Sequence, residues 1–182
     1  MCMKHAQITI GVCLSLCVVL VTGCATPAKP TAMVAHNLPQ AGVQHGPVTV
    51  LVTGGHETDP TYTTKISDAD FRTALAESLR KAGIFQPVET GGSAPYCLKV
   101  RLEYLDQPMM GFDMTVSLRA DWTLTQVPGD RVLWHDRIGS SYTATVGQAF
   151  SGATRLRKAT EGAARQNIEL GLAQLAQLKL DP

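Results

Sequence analysis

The stretch that most limits how this chain can fold runs from Asp113 to Thr125. Met114, Val116, Leu118, Ala120, Trp122 and Leu124 alternate with Asp113, Thr115, Ser117, Arg119, Asp121 and Thr123. A period of two sustained this long describes a strand with one buried face and one wet face, the habit of antiparallel sheets. A helix cannot satisfy it, because helical neighbours on one face recur every three or four residues. Val127-Pro128-Gly129-Asp130 then reads as a turn. Arg131 to Thr143 returns as the next strand, with Val132, Trp134 and Ile138 inward and Asp136 marking a bulge or an edge. Upstream, Tyr96 to Leu105 alternates in the same way, with Leu98, Val100, Leu102 and Tyr104 inward.

Two helices flank these strands. Ser67 to Ala82 has an N-cap serine, Asp68 and Asp70 in its first turn, and Arg80 and Lys81 in its last. Phe71, Ala74, Leu75, Leu79 and Ala82 form one apolar stripe, and Gly83 suits a left-handed cap. The second helix, about 153 to 178, buries Ala164, Ile168, Leu172, Leu175 and Leu178. Gly162 and Gly171 allow it to approach a neighbour closely. Arg157, Glu161, Arg165 and Glu169 make an i,i+4 ladder of alternating sign, which reads as a solvated helix face. Val48 to Thr53 is a strand whose two faces both tolerate burial, which places it centrally, and residues 87–89 form a short one. The order β-α-(β)-β-β-β-α predicts an α+β domain over residues 48–182. Its sheet is mostly antiparallel, of four to five strands, and covered by two helices.

Ahead of this domain, Lys4 and His5 precede an apolar run from Ile8 to Thr22. The run is shorter than the roughly 20 residues that span a bilayer comfortably. It closes on Leu20-Val21-Thr22-Gly23-Cys24, which resembles the lipobox of bacterial lipoproteins. The resemblance implies that residues 1–23 are a signal peptide. Cys24 then receives a diacylglyceryl group, becomes the new N-terminus and is acylated again. Acyl chains contribute about 0.8 kcal/mol per buried CH₂, and two or more anchor a protein stably. Ala25 rather than Asp after the cysteine implies sorting to the periplasmic face of an outer membrane. Residues 24–47, with Pro27, Pro30, Pro39 and Pro47, read as the lipidated cysteine followed by a flexible tether. Its roughly 22 residues would reach about 70 Å when stretched, so the domain would stand off the membrane.

Composition narrows the function classes. Once Lys4 leaves with the leader, the sixteen basic residues become fifteen, level with fifteen acidic ones. A neutral chain without a basic run is not built to bind nucleic acid. Cys2, Cys13 and Cys17 also leave, and Cys24 is acylated. Cys97 is then the one remaining thiol, so no intramolecular disulfide can form.

Chemical motifs are sparse. There is no nucleophile elbow, phosphate loop, zinc-protease helix or CxxC pair, and no cofactor is implied. His56-Glu57-Thr58-Asp59 is a loop cluster with His36 and His45 nearby in sequence, but no spacing fixes it as a metal site. His135 and Asp136 are adjacent on a strand and point to opposite faces. Ser140 and Ser141 have no visible base. An enzyme acting on lipid or peptidoglycan would need such groups, around His56, Asp59 or His135, to converge in a pocket.

The candidate partner-binding residues are Met109, Met110 and Phe112, in the connection Asp106-Gln107-Pro108-Met109-Met110-Gly111-Phe112. Methionine adapts to varied apolar partners, and an exposed apolar loop often marks a contact surface. Residues 144–152, with Phe150, form a second candidate loop.

The run Tyr96-Cys97-Leu98-Lys99-Val100, then Leu105-Asp106, Gly111 and the stretch from Val116 to Leu124 around Trp122, is similar to the auxiliary lipoproteins of bacterial ABC-type and MCE-type lipid transport systems. Residues 155–168 depart from that family and look like a separate subfamily. The resemblance implies a non-enzymatic lipoprotein with an envelope protein partner, serving lipid transport or outer-membrane maintenance. An activator or scaffold of a cell-wall synthesis or secretion complex is the alternative. No catalytic residue carries over.

Overall fold

The computed structural model describes residues 25–40, 42, 44–92, 94–127 and 129–180, so residues 1–23, expected as a signal peptide, and Cys24 lie outside the described residues. In chain order the elements are α1 (Pro30–Met33), β1 (Val48–Thr53), α2 (Asp68–Ala82), β2 (Val88–Glu89), β3 (Tyr96–Asp106), β4 (Met114–Gln126), β5 (Arg131–Ala144) and α3 (Gly152–Leu175). The strands form one sheet in the order β2-β1-β3-β4-β5.

The sheet is mixed, which corrects the mostly antiparallel expectation. β3–β4 and β4–β5 are antiparallel, but β1 runs parallel to both β2 and β3. The antiparallel half is joined by short connections that reverse the chain. β1 is followed by α2, and a helix between strands lets the chain return in the starting direction. Because β2 has only two residues, residues 90–95 suffice to carry the chain past the start of β1 to its other side. Alternation reports which face a residue occupies, but not strand polarity.

α2 begins where the sequence places it. The Asp70 N–H donates to Ser67 Oγ at 3.1 Å, and that hydroxyl donates back to Asp70 Oδ2 at 2.8 Å. Gly83 ends the helix in the left-handed region and returns its N–H to the Leu79 carbonyl. Ile84 and Phe85 then turn back into the core. Gly54 ends β1 with φ +85°, where a Cβ would lie 2.2 Å from the Leu102 carbonyl oxygen, so no larger residue fits.

From Met114 to Leu124 the even-numbered residues of β4 all face the core, and Trp122 is at its centre. The Trp122 indole N–H donates to Asn167 Oδ1 at 3.0 Å, and Asn167 Nδ2 donates to the Ile138 carbonyl at 2.9 Å. This buried network ties β4, β5 and α3 together. α3 lies close because it has glycine where it crosses the large rings. A Cβ at Gly171 would meet Trp122 at 2.6 Å, and one at Gly162 would meet Tyr142 at 2.3 Å.

Two bulges move residues away from their expected faces. The β3–β4 register shifts between Leu102 and Tyr104. One extra residue reverses the alternation beyond it, so Tyr104 points to solvent and Leu105 packs against the core. A second shift between Leu124 and Thr125 leaves Val132 exposed instead of inward. β5 is an edge strand. The N–H groups of Arg137 and Ser141 are taken by Asp136 Oδ1 and Gln166 Oε1, which blunts that edge. All the described helices pack on one side of the sheet. The other side carries Thr, Ser and charged residues, and on it Leu51 and Thr53 of the interior strand β1 are exposed.

The largest departure concerns residues 25–40, expected as a flexible tether. They contain a third helix, α1, and pack into the crevice between α2 and α3. Ala28, Met33, Val34 and Ala35 belong to the core cluster. The charge ladder of α3, expected to be solvated, holds this segment. Glu161 is buried and accepts the Lys29 N–H at 3.0 Å. Arg165 Nη1 donates to the Ala32 carbonyl at 3.1 Å. Glu169 Oε1 accepts the N–H groups of His36 at 2.8 Å and Asn37 at 3.0 Å. Ser78 of α2 accepts the Ala35 N–H at 2.9 Å.

Candidate functional site

β1 and β3 run towards one pole of the molecule, β4 leaves it, β5 returns to it, and α2 and α3 start there. Three connections cover that pole: residues 54–67, 107–113 and 145–151. Together they carry the five most exposed large apolar side chains among the described residues. Tyr62 is 76% exposed, Met109 96%, Met110 84%, Phe112 87% and Phe150 94%. The two candidate loops therefore form one surface, and Tyr62 extends it. Met109, Met110 and Phe112 do not cap the core. A groove of about 410 Å³ runs between Tyr62, Met109, Met110, Met114 and Leu156.

The loops beneath these side chains are held firmly. Arg155, in the first turn of α3, is buried. Its Nη1 donates to the carbonyls of Ala149 at 2.8 Å and Phe150 at 2.6 Å, and its Nη2 to the carbonyl of Gly111 at 3.2 Å. Gln107 Nε2 donates to the Thr64 carbonyl at 2.7 Å and to Thr160 Oγ1 at 2.9 Å. The Val146 N–H donates to Asp113 Oδ1 at 3.1 Å. Lys158 Nζ donates to the Gln148 carbonyl at 2.7 Å. The polar groups point inward to each other, and the apolar side chains are left facing outward.

Sequence reasoning did not find Tyr62 or Arg155. A signal for Arg155 was present. A cation in the first turn of a helix opposes the macrodipole, so an arginine there suggests a local partner, and three loop carbonyls supply it.

The chain also enters at this pole. The Ala25 N–H donates to the Pro60 carbonyl at 3.1 Å, and Thr64 Oγ1 donates to the Thr26 carbonyl at 2.9 Å. Ala25 is buried, and Pro60 lies two residues from Tyr62.

The groups considered for catalysis lie apart. His56 borders a cavity of about 160 Å³ lined by Gly54, Ile66, Leu102, Glu103 and Tyr104. Asp59 accepts hydrogen bonds from the Thr61 hydroxyl at 2.7 Å and the Thr61 N–H at 2.8 Å, which hold its carboxyl below the usual range. His135 does not pair with Asp136. Its Nε2 lies 2.7 Å from Asp121 Oδ1 on the open side of the sheet, whereas Asp136 faces α3 and accepts from Gln174 Nε2 at 2.7 Å. Ser140 Oγ donates to the Ala163 carbonyl at 2.8 Å. Among the described residues no three His, Cys, Asp or Glu side chains gather as metal ligands. Cys97 is buried, and that burial pushes its thiol upward in pKa, away from the reactive thiolate. No described helix is long and apolar enough to cross a membrane.

No family model matches this chain, and no curated protein matches it by sequence. Its fold does have solved relatives. It is similar to a Xanthomonas campestris protein of family DUF330, with TM-score 0.57 and 14% identity over 82% of this chain and 95% of that one. It is also similar to PelC from Paraburkholderia phytofirmans, solved as a dodecamer, with TM-score 0.50 and 19% identity over 77% of this chain and 94% of that one. A Caulobacter crescentus protein described as a lipoprotein aligns with TM-score 0.49 and 15% identity over 71% of this chain and 87% of that one. At these identities the first two likenesses show a shared fold.

Proposed function

We propose that this chain is an exported, lipid-anchored protein of the bacterial envelope that acts by binding rather than by chemistry. Cys24 carries the acyl chains, the outer membrane holds them on its periplasmic face, and the domain serves lipid transport or outer-membrane maintenance as an assembly component. The observation that carries this reading is the pole itself. Five large apolar side chains are presented to the outside on loops fixed by Arg155, Gln107 and Asp113. A surface this apolar and this ordered is the mark of a contact site. The dispersal of His56, Asp59 and His135 favours binding over catalysis, since acid–base chemistry needs such groups within hydrogen-bond reach of one substrate.

The test places photocrosslinking side chains at positions 109, 110 and 112 of the full chain in intact cells. The expected result is a defined adduct with an envelope component in the membrane fraction. A Cys24→Ser chain should leave that fraction and lose the adduct. A Cys24→Ser chain that stays with the membrane, or a Cys24-bearing chain with these crosslinking side chains that forms no adduct, refutes the proposal.

A further inference from the structure

We infer that the apolar pole rests in the surface of the bilayer that holds the Cys24 anchor, so that the domain sits directly on the membrane. This rests on the lipoprotein reading above and names the contact of that same surface. Chain length brings the anchor to this pole. Cys24 is covalently next to Ala25, so their Cα atoms are about 3.8 Å apart. Ala25 is buried against Pro60, beside Tyr62. The slack that would let the domain stand off is consumed, because the Lys29, Ala35, His36 and Asn37 amides are bound to Glu161, Ser78 and Glu169. Acyl chains on Cys24 would therefore enter the membrane at the pole where Tyr62, Met109, Met110, Phe112 and Phe150 are exposed.

The chemistry of the pole also suits a bilayer surface. Acyl chains offer no hydrogen-bond partner, so backbone placed against them must be satisfied internally. The carbonyls of Gly111, Ala149 and Phe150 are satisfied by Arg155. Phenylalanine and methionine suit the acyl boundary, and a tyrosine with an apolar ring and a polar tip suits the headgroup level. The three loops carry Glu57, Asp59 and Asp113 against Lys65. That balance points to a zwitterionic lipid surface, held by apolar contact rather than by headgroup charge.

The experiment uses the full lipidated protein in phosphatidylcholine–phosphatidylethanolamine vesicles. Environment-sensitive labels are attached to Phe112→Cys, Phe150→Cys and, at the opposite pole, Arg131→Cys. The buried Cys97 stays unlabelled in the folded chain. An apolar face sits roughly 5–10 Å into the headgroup boundary, so lipid-borne quenchers should dim the labels at 112 and 150 about threefold more than the label at 131. Raising the salt concentration should leave that ratio unchanged. Mass measurement of the same sample reports the acylation of Cys24 separately. An unacylated Cys24 overturns the lipoprotein reading and this inference with it. An acylated protein whose labels at 112 and 150 stay wet overturns this inference alone. Labels that are wet in vesicles but shielded in native membranes assign the pole to a protein partner. Shielding that grows with protein concentration assigns it to a second copy. Either of these last two results also overturns the inference.

Discussion

Residues 25–40 and residues 107–113 look alike in sequence. Both lack periodicity, both contain proline, and both carry methionine among small or polar residues. The structure gives them opposite roles. In the first, Met33 is fully buried between helices and the backbone amides are held by side chains of α2 and α3. In the second, Met109 and Met110 face outward while the backbone is fixed from below by Gln107 and Arg155. Both segments are ordered by polar contacts to distant parts of the chain. The difference lies in what faces each apolar side chain. The crevice between α2 and α3 accepts Met33, whereas nothing among the described residues covers Met109.

The most severe challenge to this contrast is a pair of matched substitutions. Met33→Ala should cost about 2–5 kcal/mol, because it removes fully buried atoms and leaves a cavity. Met109→Ala should stay within about 0.5 kcal/mol, as exposed substitutions do. Urea unfolding of the two variants measures both, and equal midpoints would erase the distinction. Next in size is Arg155→Ala. Loss of charged hydrogen bonds to three carbonyls should cost about 2–3 kcal/mol. Amide exchange should quicken in 107–113 and 145–151 but not in 25–40. Uniform quickening would mean that the clamp is not local.

Glu169 gives a smaller effect with a definite pH dependence. Burial pushes its carboxyl upward, but hydrogen bonds from Asn37 and His36 and the nearby Arg165 outweigh it and leave the pKa lowered from 4.5. A carboxyl lowered by folding stabilises the native state above its unfolded pKa. That contribution is lost as the pH falls through the lowered native value. The half-exposed site is screened, so about 1 kcal/mol is expected. Proteolysis of residues 25–40 should therefore begin below the ordinary glutamate range, and Glu169→Gln should make it occur at neutral pH as well. The smallest effect belongs to the triple change Met109→Ser, Met110→Ser and Phe112→Ser, which should leave thermal stability nearly unaltered while abolishing contact at the pole. A large loss of stability would place these side chains in the core after all.

Much of the fold was legible because local rules decide it. The alternation of Asp113 to Thr125 placed six side chains on the core face. The Ser67 cap and Gly83 bounded α2, and Gly162 and Gly171 marked where α3 meets Tyr142 and Trp122. Met109, Met110 and Phe112 could be named as candidates, but sequence could not say whether they pointed in or out.

The sequence by itself determined the strands and both long helices, since each is written in neighbouring residues. Tertiary structure alone decided the direction of β1 relative to its neighbours, the bulge that turns Tyr104 outward, and the seating of residues 25–40. It also decided the union of three loops around Arg155. The physical reason is common to all four. Each depends on partners far apart in sequence, such as Lys29 with Glu161 or Gly111 with Arg155, and periodicity within one segment carries no record of them.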